Sequence, residues 1–293
     1  MVKVMSVYKK IDTLRSRYYK AYIDKEELLK IISESEVAEH VYNSNAIENS
    51  TLTLEETDKI LNQIDCDRFI SIREMFEAKN LARVVLYIDK KAKEQELNLN
   101  VMLFLHKMLL SNINDDMAGR FRKDTEFVRV GSHIAPNSKE VIGRLEEMLV
   151  EYNSTPSENI IKRIAKLHLV FEYTHPFCDG NGRIGRIMNN YLLIREGYVP
   201  INIKFIDRKY YYQAFKEFDW RNKTTIMEEI VGKALTNSYH KRLAYLEGGE
   251  IISLLEYAKR KKLSYPNLLN KAKRQTIEAF LEKGEWKIAI SEL

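Results

Sequence analysis

The run His175-Pro176-Phe177-Cys178-Asp179-Gly180-Asn181-Gly182-Arg183-Ile184-Gly185-Arg186 holds the parts of a phosphate-handling site. A helical pattern ends near Tyr173, a short loop follows, and a second helical pattern begins near Gly182. The free N–H groups and partial positive charge of a helix N-terminus attract anions. Gly180 and Gly182 carry no side chain, so phosphate oxygens can approach the backbone and its N–H groups can form a nest. Arg183 and Arg186 are three apart on one helical face, where two guanidinium forks can reach the same polyphosphate. Asp179 offers a hard oxygen ligand beside the nest. It suits Mg2+, which takes one or two carboxylates together with substrate phosphates. His175 is the one side chain of the loop that titrates near neutral pH and is fit to take a proton from a hydroxyl nucleophile. Each residue alone has a plainer reading, with Gly-Asn-Gly as an ordinary turn and His175 as a helix end. Eight such positions together recur by chance at on the order of one start in 10^10, so the combination carries the argument.

The elements that position this run are mostly helical. Residues 6–34 read as two amphipathic helices broken around Tyr22–Asp24, and residues 36–47 as a third that stops before Ser50–Thr51. Thr53-Leu54-Glu55-Glu56 has capping-box spacing and starts a new helix. Residues 69–96 carry Phe69, Ile72, Phe76, Leu81, Val84, Val85 and Ile88 at helical spacing, and another helix covers 100–111. The texture changes at Glu126–Gly131, where β-branched and aromatic residues before a glycine indicate a short hairpin. Helix returns at 138–153 and from Pro156–Ser157 to about Tyr173. Further helices are expected over 183–196, 210–216 and 224–246. Gly248-Gly249 is the one plausible joint. Beyond it, residues 250–293 read as two or three short helices and a strand at Trp286–Ile290.

Composition bounds the rest. The 293 residues are 45% apolar and 30% charged, with 11 Gly and 5 Pro, which indicates a soluble, mainly helical chain with a sizeable core. A net charge of +5 suits an anionic ligand without demanding nucleic acid. Cys66 and Cys178 offer no disulfide framework, and residues 1–10 carry no signal-peptide pattern, so a reducing, cytoplasmic setting is expected. No apolar run is long enough to span a membrane.

The run at 175–186 resembles the signature of the Fic family, His-x-Phe-x-Asp/Glu-Gly-Asn-Gly-Arg-x-x-Arg, at every specified position. The resemblance covers roughly residues 35–245. It implies a mainly α fold, a Fic helical domain with a small β-hairpin flap. It also implies an ATP- and Mg2+-dependent adenylyltransferase that puts AMP on a Ser, Thr or Tyr hydroxyl of a target protein or of itself. On this resemblance His175 is the general base and Asp179 holds Mg2+. Gly180, Asn181 and Gly182 cradle the phosphates, Arg183 binds the β-phosphate side, Arg186 orients the γ-phosphate, and Phe177 anchors the loop. Ser44-Asn45-Ala46-Ile47-Glu48-Asn49 is similar to the family's inhibitory pattern, Ser/Thr-x-x-x-Glu-Gly/Asn. Ser44 and Glu48 would share one helical face, and Glu48 would hold Arg186 in a bidentate pair. The plainer reading of this short pattern is a helix end terminated by Asn49. Thr125–Ser132 falls where the family has its flap, a docking edge for an extended segment of the target. Tyr211, with Tyr210 as the alternative, is expected to line the nucleotide pocket. Asn189 and Asn190 read equally as pocket or solvated positions, and His168 as a hydrogen-bonded structural histidine.

These readings divide the chain into an N-terminal helical region (1–110, inhibitory helix about 36–48), a catalytic core (111–247) and a small C-terminal helical or winged-helix-like module (248–293). The module carries Lys259-Arg260-Lys261-Lys262, Lys271, Lys273 and Arg274. A charge run is more often a solvated face than a nucleic-acid footprint, so DNA contact is the lesser expectation and partner docking the greater. Monomer and homodimer both stay open. The alternatives to AMP transfer are AMP removal or phosphotransfer on the same fold, or a DNA-binding regulator with a Fic sensor domain.

Overall fold

Short polar caps set five of the helix starts. Thr53 accepts from the Glu56 N–H while the Glu56 carboxylate accepts from the Thr53 N–H, forming the reciprocal box that the spacing indicates. Ser71, Asn98, Asn159 and Ser253 each accept a hydrogen bond from the first turn that follows them. The computed structural model describes residues 2–131 and 133–290, with backbone alone for residues 2–6. Ser132, at the end of the expected flap, lies outside the described residues.

The helices are α1 (Val2–Ala21), α2 (Glu26–Ile47), α3 (Leu54–Leu61), α4 (Ile72–Lys91) and α5 (Leu99–Leu110). A hairpin of β1 (Arg129–Val130) and β2 (His133–Ile134) follows, antiparallel, with Val130 opposite His133. Then come α6 (Val141–Ser154), α7 (Ile160–Thr174), α8 (Asn181–Arg195), α9 (Arg208–Arg221) and α10 (Thr225–Leu246). The chain continues through β3 (Glu250–Ser253), α11 (Leu254–Arg260), α12 (Tyr265–Lys273), β4 (Ala279–Glu282) and β5 (Glu285–Ile290), and the last sheet has the order β3-β5-β4. The architecture is mainly helical with a small antiparallel hairpin, as the sequence indicates.

Four local expectations are corrected. α2 is continuous through the break expected at 34–36, because Ser35 returns its hydroxyl to Ile32 O at 2.7 Å and the polar run stays helical. α4 begins at Ile72, since the Ser71 cap fixes its start, and Phe69 is left 87% exposed. α7 begins at Ile160 behind the Asn159 cap rather than at Pro156–Ser157. β3 occupies 250–253, a strand beyond the single one expected in residues 250–293, because Ile251 and Ile252 gain backbone partners in β5.

The contacts divide the chain into Val37–Val231 and the described part of Met1–Glu36 with Gly232–Leu293. This differs from the 1–110, 111–247 and 248–293 division expected from the sequence. Residues 248–293 do have a small core of Ile252, Leu254, Ala258, Leu268, Ala272, Ala279 and Ile288. The strands are nevertheless pinned to α10. Asn237 exchanges two hydrogen bonds with the Leu281 backbone, and Lys241 bridges Glu36 and Glu282, all of them buried or half-buried. The basic run is partly neutralised, with Arg260 held by Glu250 and Glu256.

In Val37–Val231, α7 packs on α6, α8 and α9, and α4 packs on α3, α5 and α8. α8 is buried along almost its whole length, its polar residues included. A helix surrounded in this way gives its N-terminus a fixed position, and the loop from α7 enters it there.

Candidate active site

The loop between α7 and α8 is shaped by two left-handed residues. His175 ends α7 at φ 47° and Gly180 precedes α8 at φ 80°. A side chain at Gly180 would also press on Leu109, so glycine is needed there for both reasons. Asn181 locks the loop from inside. Its Oδ1 accepts from the Phe177 N–H at 2.9 Å and its Nδ2 donates to Phe177 O at 2.8 Å. The buried Asn181 amide is thus spent on the loop, which leaves its backbone N–H as the part of Asn181 that could meet an anion. Phe177 is fully buried, stacked on His106 with ring centroids 3.7 Å apart.

His106 and Arg122 are supports whose partners the sequence does not assign. His106 Nδ1 accepts from the Gly119 N–H at 3.0 Å, so Nε2 carries the proton and donates to Asp179 O at 3.0 Å. Burial pushes the His106 imidazole down to about 4, which keeps it neutral. Arg122 is buried and donates to His175 O at 2.8 Å, Thr174 O at 3.3 Å and Pro136 O, closing the carbonyl end of α7 and tying the hairpin's far end to it. The only sequence signal was the run Gly119-Arg120-Phe121-Arg122 ahead of the hairpin.

His175 Nδ1 lies 3.1 Å from Glu172 O, and since a carbonyl only accepts, Nδ1 carries the proton and Nε2 keeps its lone pair. Burial, the largest influence, lowers the His175 imidazole from its ordinary value, so the neutral base is the resting form. The Glu172 carboxyl lies one turn before it, with Oε2 4.0 Å from His175 Nδ1 and Oε1 buried without a hydrogen-bond partner among the described residues. Burial, then the charge of Glu48, push this carboxyl up to about 8. A lone acid in the apolar stretch 167–171 onward was the available signal.

One cavity of about 660 Å³ takes in His175, Asp179, Gly180, Asn181, Gly182 and Arg183 together with Glu48 and Tyr211. That volume suits a nucleotide-sized ligand. The hairpin contributes Val128–Gly131 and His133 to its rim. His133 donates from Nε2 to Tyr173 O at 2.9 Å, and its Nδ1 is 3.4 Å from Asp219 Oδ2. Tyr211 and Tyr212 line the cavity, whereas Tyr210 turns away to Glu229. Asn190 is spent on the Ile201 backbone, and His168 Nε2 sits 2.7 Å from the Tyr211 hydroxyl.

Arg186 does not join Arg183 in the cavity wall. Its Nε donates to Ser44 Oγ at 3.0 Å, its Nη2 to Ser44 O at 2.8 Å and Glu48 Oε1 at 2.9 Å, and its Nη1 to Tyr211 Oη at 3.2 Å. The expected bidentate pair with Glu48 is corrected to a single carboxylate contact, because the fork is shared with Ser44 and Tyr211. Glu48 stands just past the last turn of α2, and Asn49 follows at φ 70°, so the plain helix end and the Glu48–Arg186 contact coexist. A side chain at Gly182 would lie 2.1 Å from Glu48 Oε1, so glycine is also what lets Glu48 reach this wall.

Residues 96–193, which hold this loop and the histidine, match the model of the Fic/DOC family. The chain thus carries a Fic domain. A protein adenylyltransferase Fic from Nematostella vectensis is 30% identical over 216 residues, covering 71% of this chain and 49% of its own length. One from Drosophila persimilis is 30% identical over 219 residues, covering 70% and 43%. The chain thus spans about half the length of the curated relatives it matches. The Fic fold recurs in a Fic domain-containing signaling protein from Bacteroides thetaiotaomicron (TM-score 0.72, 23% identity, 81% of this chain and 97% of that one). It recurs also in a Fic family protein from Desulfovibrio desulfuricans G20 (TM-score 0.67, 19% identity, 98% and 97%).

Proposed function

We propose that this chain transfers AMP from ATP to a Ser, Thr or Tyr hydroxyl of a protein, itself included, and that Glu48 restrains the transfer. The observation that carries the reading is one cavity wall on which a neutral His175, with Nε2 unprotonated, stands beside the N-terminus of α8, Asp179 and Arg183. The hydroxyl oxygen attacks the α-phosphorus in line, its proton passes to His175 Nε2, and the α–β bridging P–O bond breaks to release pyrophosphate. Positioning and charge supply most of the rate: the α8 N–H groups and Arg183 face charge that builds on the phosphates.

Asp179 is a single carboxylate, and among the described residues no group of three His, Cys, Asp or Glu could hold a metal by itself. That fits Mg2+, which takes most of its shell from phosphates and water. Bound through Asp179, it would neutralise phosphate charge. Glu48 occupies Arg186 Nη2, the donor that would otherwise meet the γ-phosphate, and the nearly buried guanidinium needs one anion or the other. A second reading, removal of AMP, is favoured by Glu48 itself lining the cavity, where it could orient a water.

Among the described residues no helix is long and apolar enough to cross a membrane, and the free thiols Cys66 and Cys178 suit a reducing compartment. Incubation with α-labelled and, separately, γ-labelled ATP and Mg2+ tests the reaction. Label kept on protein from the α position alone is the expected result, and label from the γ position would replace the reading with phosphotransfer.

A further inference from the structure

On the α4 side of the cavity four charged side chains close a ring. Asp179 Oδ1 accepts from the Gly180 N–H at 2.6 Å and from Arg183 Nη2 at 3.1 Å. Arg183 Nη1 lies 3.4 Å from Glu77 Oε1, and the same Glu77 oxygen takes Arg73 Nε at 3.1 Å. Arg73 Nη2 then reaches Asp179 Oδ2 at 3.0 Å and completes the circuit. Two members are fixed, with Arg183 and Glu77 only 5% and 14% exposed, while Arg73 is 61% exposed on the outer turn of α4. All four line the cavity.

We propose that Arg73 is a further phosphate ligand of this site, parked on the Asp179 oxygen that a divalent cation must take, and released to the phosphates when the cation binds. The proposal rests on the adenylyl-transfer reading. Asp179 Oδ1 is already committed to the loop and Arg183, so Oδ2 is the oxygen open to a cation. A guanidinium and a divalent cation on that one oxygen repel each other. Once displaced, Arg73 is a mobile cation at the rim of a pocket holding a polyanion, and its fork matches phosphate oxygens. Glu77 keeps Nε tethered, so the free end swings on the cavity side. A plain surface ion pair, worth little, is the opposing account.

The test uses the full chain as Arg73→Ala and Arg73→Lys, each also in a Glu48→Gly background, with melting temperatures to verify folding. Mn2+ at high concentration, followed by electron paramagnetic resonance without nucleotide and corrected with an Asp179→Ala control for binding elsewhere, is held weakly by the one carboxylate and should bind Arg73→Ala about threefold more tightly than the parent, since the competitor for Oδ2 is gone. Mg2+–ATP should bind Arg73→Ala about tenfold more weakly, adenosine should bind equally, and Arg73→Lys should recover part of the ATP affinity. Unchanged or weaker Mn2+ binding, or equal losses for ATP and adenosine, would overturn the proposal. A parent that binds neither ATP nor Mn2+ would instead remove the adenylyl-transfer reading on which it stands.

Discussion

Between Thr174 and Gly182 the loop is braced from inside the protein, with Asn181 on Phe177, Arg122 on the α7 carbonyls and His106 on Asp179 O. The hairpin across the cavity is the reverse. Its strands are two residues long, and Phe127 and Ile134 nearby are 80% and 70% exposed. The loop proposed to meet a phosphate is over-determined, while the edge proposed to meet a protein target is held by few contacts. One side of the site supplies geometry and the other can adapt to what docks there.

That contrast orders the expected effects. His175→Ala should lower AMP transfer by about 10^3, with melting temperature nearly unchanged, because it removes the base and none of the braces. In the parent, burial keeps His175 neutral below its ordinary value near 6.5, so the acid limb of the rate should lie below that pH and is lost as pH falls through the depressed value. A limb at or above it would refute the neutral-base assignment. Arg122→Ala should cost about 3 kcal/mol in thermal or denaturant unfolding, since it strands buried carbonyls at the end of α7. A loss under about 1 kcal/mol would mean the loop does not need its brace.

Glu172→Gln gives a pH signature. Its folded carboxyl is raised from 4.5 to about 8, so the folded chain holds more protons than the unfolded one across that window. Stability from this group is present below the unfolded value and falls as pH rises through the folded one. The variant should flatten that slope and be more stable above pH 8 by on the order of 1–3 kcal/mol. The smallest effect belongs to the hairpin. Phe127→Ala should move stability by less than about 0.5 kcal/mol, yet raise KM for a protein target while leaving ATP affinity alone.

The legible parts of the molecule were those whose signal is local. The capping box at Thr53–Glu56, the helix pair around 175–186 and the spacing of Ser44 and Glu48 sit within one or two turns of chain. The braces were not legible because each joins positions far apart. Arg122 meets His175 across 53 residues, and Arg73 meets Asp179 across 106. The inward bracing by Asn181 was not legible for a subtler reason. Its position fits a nest, but an amide can satisfy both backbone groups of one residue, and that pairing is visible only once Phe177 turns inward. The grouping of residues 248–293 with α10 was not legible either, because Leu281 of the module finds its partner at Asn237, upstream of the Gly248-Gly249 joint.

Intact-mass and peptide mass spectrometry of the Glu48→Gly chain incubated with ATP and Mg2+, beside the parent and a Glu48→Gly/His175→Ala double variant, tests the restrained-transferase account most directly. The account predicts an AMP adduct on a Ser, Thr or Tyr of the single variant, far less on the parent and none on the double. Equal adduct on parent and single variant would contradict the restraint, and an adduct that persists without His175 would contradict the mechanism.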